Sequence, residues 1–525
     1  MKKKADKIID KSIYAVFLCC IILIISIVVL VDKNIAYTEA CRLDTGLPNI
    51  VLVLAVLAIT AGVFWIWRTL LSDSCIRKFT DKYFYYILGG ISILMLIVQW
   101  VYTQKVYFHA GWDVSIVLGS ADKICMGKEF IGEHFYYSQY TNNIAIVYIL
   151  SHIQKLAVTI GMEPHRYLFC AITDCVLINL AGVFTALSIQ RVTGIKVLSL
   201  FSYMLFVLLV GVNPWMVVPY TDTYSILFPI LTFYLFLCFE QSERNLLKGI
   251  LWFAVNLVGC IGYLIKPSAV IVLIAIWVCE ILRMFCLKKG WWKRILMQLS
   301  LAGFALLCMW GLRLHMQQYT GAILNEDIQL SFTHYLMMGL NDANTGSYYS
   351  EDYGFSSSFP DVESRTSANL QETIRRIKEY GPLGLLEFHL KKLLVNFNDG
   401  TFCWGREGGF IAGENPVATS LMSQRLKRLF YVGTDWYVYY ATYAQTVWLS
   451  TLSMLTGIFW LKRKDVFEEH KSGMRVLLVS ILGIIMFVTL FEARARYLYN
   501  MAPMFIVCAS IGLYGWYKRT VKNKK

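Results

Sequence analysis

The chain has 525 residues, of which 57% are apolar and only 16% charged, and its formal net charge is +14. A soluble domain carries more charge and no long uncharged apolar runs, so this composition excludes a soluble globular protein. The basic excess lies in short segments between apolar runs, which argues against nucleic acid as its target.

A bilayer span needs about 20 mostly apolar residues. Windows at 13–32, 49–71, 84–102, 167–189, 196–213, 222–239, 249–265, 268–286, 295–313, 437–460, 475–491 and 497–516 qualify. They predict an all-α polytopic membrane protein with about twelve transmembrane helices. The first window follows Met1-Lys2-Lys3-Lys4 and has no small-residue cleavage site before Asp32, so it reads as a retained span. Lys and Arg gather between alternate spans, among them Lys78, Arg191, Lys196, Lys248, Lys288, Lys289, Lys462, Arg463 and Lys464, and in the tail to Lys525. Such segments stay inside, so both termini are expected in the cytoplasm of a multi-pass cell-membrane protein.

The chain divides into a two-span extension (1–83), a core (84–313) that includes a first outer loop (103–166), an extracytoplasmic domain (314–436), and three last spans with a basic tail (437–525). The 14 cysteines show no Cys-x-x-Cys or Cys/His ligand spacing, so a zinc site is not expected. Cys41, Cys125 and Cys403 fall on the outer side by this topology.

Asp113, in Gly111-Trp112-Asp113, follows the third span. A carboxylate at a water–lipid boundary, tuned by burial and by neighbouring cations, suits a general base, or else a helix cap. Asp122 precedes Lys123 and reads either as half of a solvated pair or as a partner of Asp113 in orienting an acceptor or binding a divalent metal. The aromatic cluster with Tyr136, Tyr137 and Tyr140 fits an interfacial belt or a sugar-stacking surface. The stretch 141–162 is apolar but carries His152 and Lys155 near its middle, which predicts a helix in the outer interface.

Asp222 opens a span, where the helix dipole favours an acid. Lys266 precedes Pro267 at a span end, either as an interfacial anchor or as a point charge for phosphate. In the large outer segment a helix is expected over Ser367–Tyr380, ended by Gly381-Pro382, and His334 and Arg406 are weaker candidates. Glu492-Ala493-Arg494-Ala495-Arg496-Tyr497 joins the last two spans on the outer side. Two arginines held there, against the charge rule, suggest an anionic partner, since guanidinium matches phosphate oxygens in bidentate fashion. Pairing with Glu492 or with lipid headgroups is the plainer reading.

Over residues 84–516 this arrangement resembles the GT-C glycosyltransferases, which include the protein O-mannosyltransferases and the aminoarabinose transferases. The resemblance rests on Gly111-Trp112-Asp113, on Phe135 to Asn143 (with Thr141 where proline is common), and on the Glu-x-Arg-x-Arg-Tyr turn with Tyr499-Asn500-Met501-Ala502-Pro503. It implies an extracytoplasmic active site and inverting transfer of a hexosyl or pentosyl unit from a polyprenyl-phosphate-linked sugar. The acceptor would be a hydroxyl on a glycan, lipid or protein. Asp113 would be the base, and Arg494, Arg496 and Lys266 would hold the donor phosphate. Asp122, Tyr137, Tyr140, Asp222, His334 and Arg406 would be lesser contacts. The rivals are a flippase or transporter of lipid-linked saccharides and a polymerase of surface polysaccharide.

Overall fold

A continuous segment in a bilayer must satisfy its own backbone polar groups, which the helix does. The computed structural model describes residues 2–31, 45–128, 133–284, 291–414, 419–461 and 471–522, and helix runs through each of the twelve apolar windows. The basic positions Lys288, Lys289, Lys462, Arg463, Lys464 and Lys525, and Cys41, lie outside the described residues.

The chain opens with α1 (Lys2–Leu30), α2 (Asn49–Ser72) and α3 (Ser74–Val106). Asp73 starts α3 by accepting from the backbone of Cys75 and Ile76. The first segment that the charge pattern assigns to the outer side, and that is called outer for that reason, holds a short strand β1 (Phe108–Ala110), α4 (Trp112–Cys125), α5 (His134–Gln139) and α6 (Asn143–Thr159). Then come α7 (Arg166–Thr193), α8 (Lys196–Phe206), α9 (Thr221–Tyr224), α10 (Leu227–Gln241), α11 (Asn245–Ile265), α12 (Ile271–Met284) and α13 (Trp291–Thr320). The second outer segment contains α14 (Phe332–Met338), α15 (Ser350–Ser357), α16 (Val362–Phe397), α17 (Trp404–Glu407), β2 (Ile411–Glu414) and α18 (Leu421–Phe430). The last helices are α19 (Tyr437–Leu455), α20 (Lys471–Leu490) and α21 (Ala502–Lys522).

Among the described residues, nine helices are long and apolar enough to cross a membrane. The protein is therefore all-α and polytopic, but the expectation of about twelve spans is not reached. Three windows fall short. In 196–213 the α-helix is 11 residues long before a wider turn at Val207–Gly211. α12 has 14 residues. α19, with its Tyr, Thr and Gln residues, does not meet the apolar criterion.

Helix ends that carry basic residues meet at one end of the bundle. Arg191 bonds Gln241, and Lys196 bonds the Asp81 carbonyl. Arg283 and Arg294 join Glu240 and Glu280. Arg475 and Lys471 bind Asp6 and Asp10 of α1. The opposite end gathers the two outer segments. Asn49, at the start of α2, bonds the Val28 carbonyl and Asn398 there.

The final span, Ala495–Thr520, has 94% of its apolar window buried, whereas Trp292–Thr320 has 11%. The first is the central post of the bundle and the second lies at its edge. α21 packs on α19 and the turn after it through glycines. A Cβ on Gly512 would collide with the Met454 carbonyl, and one on Gly457 with the Gly512 carbonyl. Small residues let helix backbones approach this closely. Gly512→Ala is expected to lower stability by about 1–3 kcal/mol, the usual range for overpacking. A melting temperature in detergent equal to that of the parent would contradict it.

Two elements tie the outer segments together. β1 pairs antiparallel with β2, Phe108 opposite Glu414 and His109 opposite Gly413, with a register irregularity before Ala110. An all-α reading does not anticipate this ribbon, because three- and four-residue strands carry almost no pattern. α6 buries one face, including Ile146, Val147, Leu150 and Gln154. Its polar pair is met by Tyr319 near the end of α13: His152 stacks on that ring at 4.5 Å, and Lys155 lies 2.7 Å from its hydroxyl. α16 breaks at Gly381 (φ +60°), as Gly381-Pro382 suggested, then resumes to Phe397 and buries that second half against α1 and α20.

Candidate active site

Asp113 stands in the first turn of α4, directly after a backbone of unusual shape. Trp112 has φ +47°, a conformation that a bulky residue adopts only under constraint. Gly111 N–H donates to the Phe410 carbonyl at 2.7 Å, which holds this turn against the far outer segment. Asp113 is half-buried. Tyr220 donates to its carboxylate at 3.3 Å, and the Tyr136 hydroxyl also bonds it. Asn143 sits behind both phenols, 2.7 Å from the Tyr136 oxygen and 3.3 Å from that of Tyr220. An amide N–H₂ donating to both phenols turns their O–H groups toward Asp113. Burial raises the Asp113 pKa, and Arg496 is the largest of the influences that pull it back.

The arginines come from the turn after α20. Asn396 accepts from the Arg494 backbone at 2.8 Å, the Ala493 N–H donates to Gly346 at 2.7 Å, and Lys392 donates to the Phe491 and Gly339 carbonyls at 2.6 Å each. Arg494 reaches Glu407 at 2.7 Å and lies 3.4 Å from Glu492. Burial works against the charged form of Arg494, but the two glutamates hold its pKa above the usual arginine range. Arg496 binds the other Glu407 oxygen and lies 3.4 Å from Asp222. Its guanidinium is enclosed by aromatic rings, 4.8 Å from the centre of Trp112, 5.8 Å from Tyr220 and 6.0 Å from Trp215. Such faces favour a cation and keep it planar between them. The Nε atoms of both arginines have no hydrogen-bond partner among the described residues.

Glu407 is delivered by a constrained loop. Asp399 accepts from the backbone of Thr401 and Cys403, while Phe402 (φ +55°) and Cys403 (φ +68°) are both left-handed. The Trp215 indole donates to the Phe402 carbonyl at 2.9 Å, and Trp404 donates to Phe430 at 2.8 Å. Lys266 is buried and ion-paired with Asp222. Burial pulls the Lys266 pKa down, against the opposing effect of Asp222.

The structure thus brings together five of the expected residues: Asp113, Asp222, Lys266, Arg494 and Arg496. Tyr140 lies at the edge, electrostatically near Asp113. The others stand apart. Asp122 is ion-paired with Arg166. Tyr137 is the exception, fully buried in the core but packed on Tyr136 and electrostatically near Asp113. His334 is buried and bonds the Ser356 hydroxyl at 2.8 Å, and burial pushes its pKa down to about 4. Arg406 is half-buried on α17, and its neighbour Glu407 enters the cluster instead. Sequence reasoning missed Glu407, Tyr220, Asn143 and Lys392 as site residues. Only Tyr220 carried a signal, as a neighbour of Asp222. Among the described residues no group of three or more His, Cys, Asp or Glu is placed to hold a metal.

Lys392 gives a pH prediction. It is fully buried, and burial pushes its pKa down to about 7, with Glu492 opposing. An unfolded lysine keeps its proton to about 10.4. Between those values the unfolded chain binds more protons, so stability rises with pH across that window. Melting temperatures in detergent should rise from pH ~7 to ~10 through this group, and Lys392→Met should flatten the slope. An unchanged slope in that variant would show that another group causes it.

The cluster joins acids, arginines and aromatics at one end of a membrane bundle, and such an arrangement can take a proton and hold an anion. A comparison with curated proteins gives no match. The family model described as "Conserved hypothetical integral membrane protein" matches residues 4–514, and the chain belongs to that family.

Proposed function

We propose that this protein is an integral-membrane glycosyltransferase that moves a sugar from a polyprenyl-phosphate donor to a hydroxyl acceptor on the extracytoplasmic face. One observation carries the reading: Asp113 shares a site with Arg494 and Arg496 although the three come from opposite ends of the chain. Asp113 removes the acceptor proton as the sugar bond forms, and its raised pKa makes it a stronger base than an exposed aspartate. Arg494 and Arg496 meet the negative charge that grows on the leaving phosphate. Glu407 already pairs with both, so the phosphate shares or displaces that carboxylate. The lipid tail lies along apolar helix faces. The resemblance to GT-C enzymes in the Gly111-Trp112-Asp113 and Glu492-to-Tyr497 segments supports the same reading.

The test is transfer from a purified polyprenyl-phosphate-linked sugar to an acceptor mixture by the purified chain in detergent. Glycosylated product is expected, and no product with any such donor would refute the reading. A second reading, a transporter of lipid-linked saccharides, has one observation in its favour. Asp174 is fully buried inside α7, where the Thr223 hydroxyl is its hydrogen-bonding neighbour. Acids inside spans often mark transport pathways. Vesicle uptake of the lipid-linked sugar without product formation would decide for it.

A further inference from the structure

At the basic end of the bundle, far along α3, α7 and α10 from the site above, the three helices leave a cleft of about 420 Å³. That lies in the range of about 300–1,000 Å³ typical of small-ligand sites. The lining is mixed: Leu88 and Leu187 are apolar, while Ser92, Gln190, Arg191 and the phenols of Tyr85 and Tyr234 are polar. Gly89 keeps it open. A Cβ built there meets nothing within 4 Å, so the space beside α3 is open at this position and a larger side chain would enter it.

Arg191 makes no ion pair among the described residues. It donates to the Gln241 side chain at 2.9 Å and lies 5.8 Å from the Tyr234 ring centre. The C-terminal carbonyls of α7 favour a cation at this position. They account for an arginine, but not for the cleft beside it. The cleft opens on the outside of the bundle. α3 is a candidate span with only 22% of its apolar window buried, and Tyr85 and Tyr86 stand exposed on it. Tyrosines at this depth belong to the headgroup layer, and the leaflet beside basic loops carries the anionic lipids.

We propose that this cleft binds an anionic glycerophospholipid, its phosphate on Arg191 between the two tyrosines and an acyl chain over Gly89 and Leu88. The occupant is a lipid rather than a soluble anion, because apolar and polar side chains share the cleft and α3, which forms one wall, is a candidate span with most of its apolar window exposed. The site is independent of sugar transfer, and its test reads bound lipid.

The full chain, purified in detergent, is incubated with equal amounts of phosphatidylglycerol and phosphatidylcholine, and retained lipid is measured by native mass spectrometry. The expected result is a roughly fivefold preference for phosphatidylglycerol, the effect of one cation at an anionic surface. Arg191→Gln should bring the two lipids to parity. Gly89→Leu, which fits without a clash, should reduce retention of both. Equal retention by the parent protein would overturn the proposal, and so would unchanged lipid retention in Gly89→Leu. That second variant keeps the test decisive if Arg191→Gln unfolds. Displacement of the lipid by inorganic phosphate alone would also overturn it, since the anion and not the lipid would then be the ligand.

Discussion

Asp113→Asn is expected to reduce sugar transfer by roughly 10²–10⁴-fold, the usual contribution of a general base. The amide matches the carboxylate in shape and still accepts from Tyr220 and Tyr136, so folding and membrane insertion should persist. The pH dependence gives a second readout. Burial outweighs Arg496 and places the Asp113 pKa above that of an ordinary aspartate. Transfer by the parent protein should therefore decline on acidification at a higher pH than an exposed aspartate would dictate, and residual transfer by the variant should lack that limb. Product formation and melting temperature, measured on one preparation, separate chemistry from stability. A folded Asp113→Asn protein with full activity would remove Asp113 from the mechanism.

Glu407→Ala is expected to have the largest effect on stability. Glu407 is buried and pairs with both Arg494 and Arg496, themselves largely buried. Truncating it leaves two guanidiniums without their shared carboxylate. Breaking a buried pair on one side costs about 3–5 kcal/mol, because the remaining charge stays desolvated. Asp222 and Glu492 lie 3.4 Å from the arginines and compensate in part. Glu407→Gln keeps volume and hydrogen-bond acceptance and should cost less. The two glutamate variants should also lose transfer activity, since the guanidiniums would no longer be held side by side. Thermal unfolding in detergent tests the order Ala, then Gln, then parent, from least to most stable. If Glu407→Ala melts with the parent protein, the arginines do not depend on this carboxylate.

Much of the architecture was legible because burial in a bilayer acts on composition and run length, which are local properties. The described part of each apolar window is largely helical, and Gly381-Pro382 breaks its helix where a positive φ and a missing N–H require it. The count of spans was not legible to the same degree. In the run 268–286 the α-helix starts only at Ile271, after a tighter turn at Pro267–Val270, and its described part ends at Met284. The β1–β2 ribbon was invisible, because a short strand is stabilised only by its partner some 300 residues away.

The site divides in the same way. Asp113, Arg494 and Arg496 could be singled out because each is a charge in an unusual local place: just past a span, or in a short turn on the uncharged side. What each would touch was not available locally. Arg496 and Glu407 are 89 residues apart, Asp113 and Tyr220 are 107 apart, and Lys266 meets Asp222 across 44. Lys266 could be an interfacial anchor or a phosphate contact until packing gave it that carboxylate, and Asp122 could be half of a solvated pair or a companion of Asp113 until Arg166 paired with it. By itself the sequence determined that this is a helical membrane protein with isolated charges at certain helix ends, since hydrophobic run length and charge need no distant neighbour. Only the tertiary structure decided which charges pair and which remain available, because a buried ion is governed by whatever the folded chain places within a few ångströms of it.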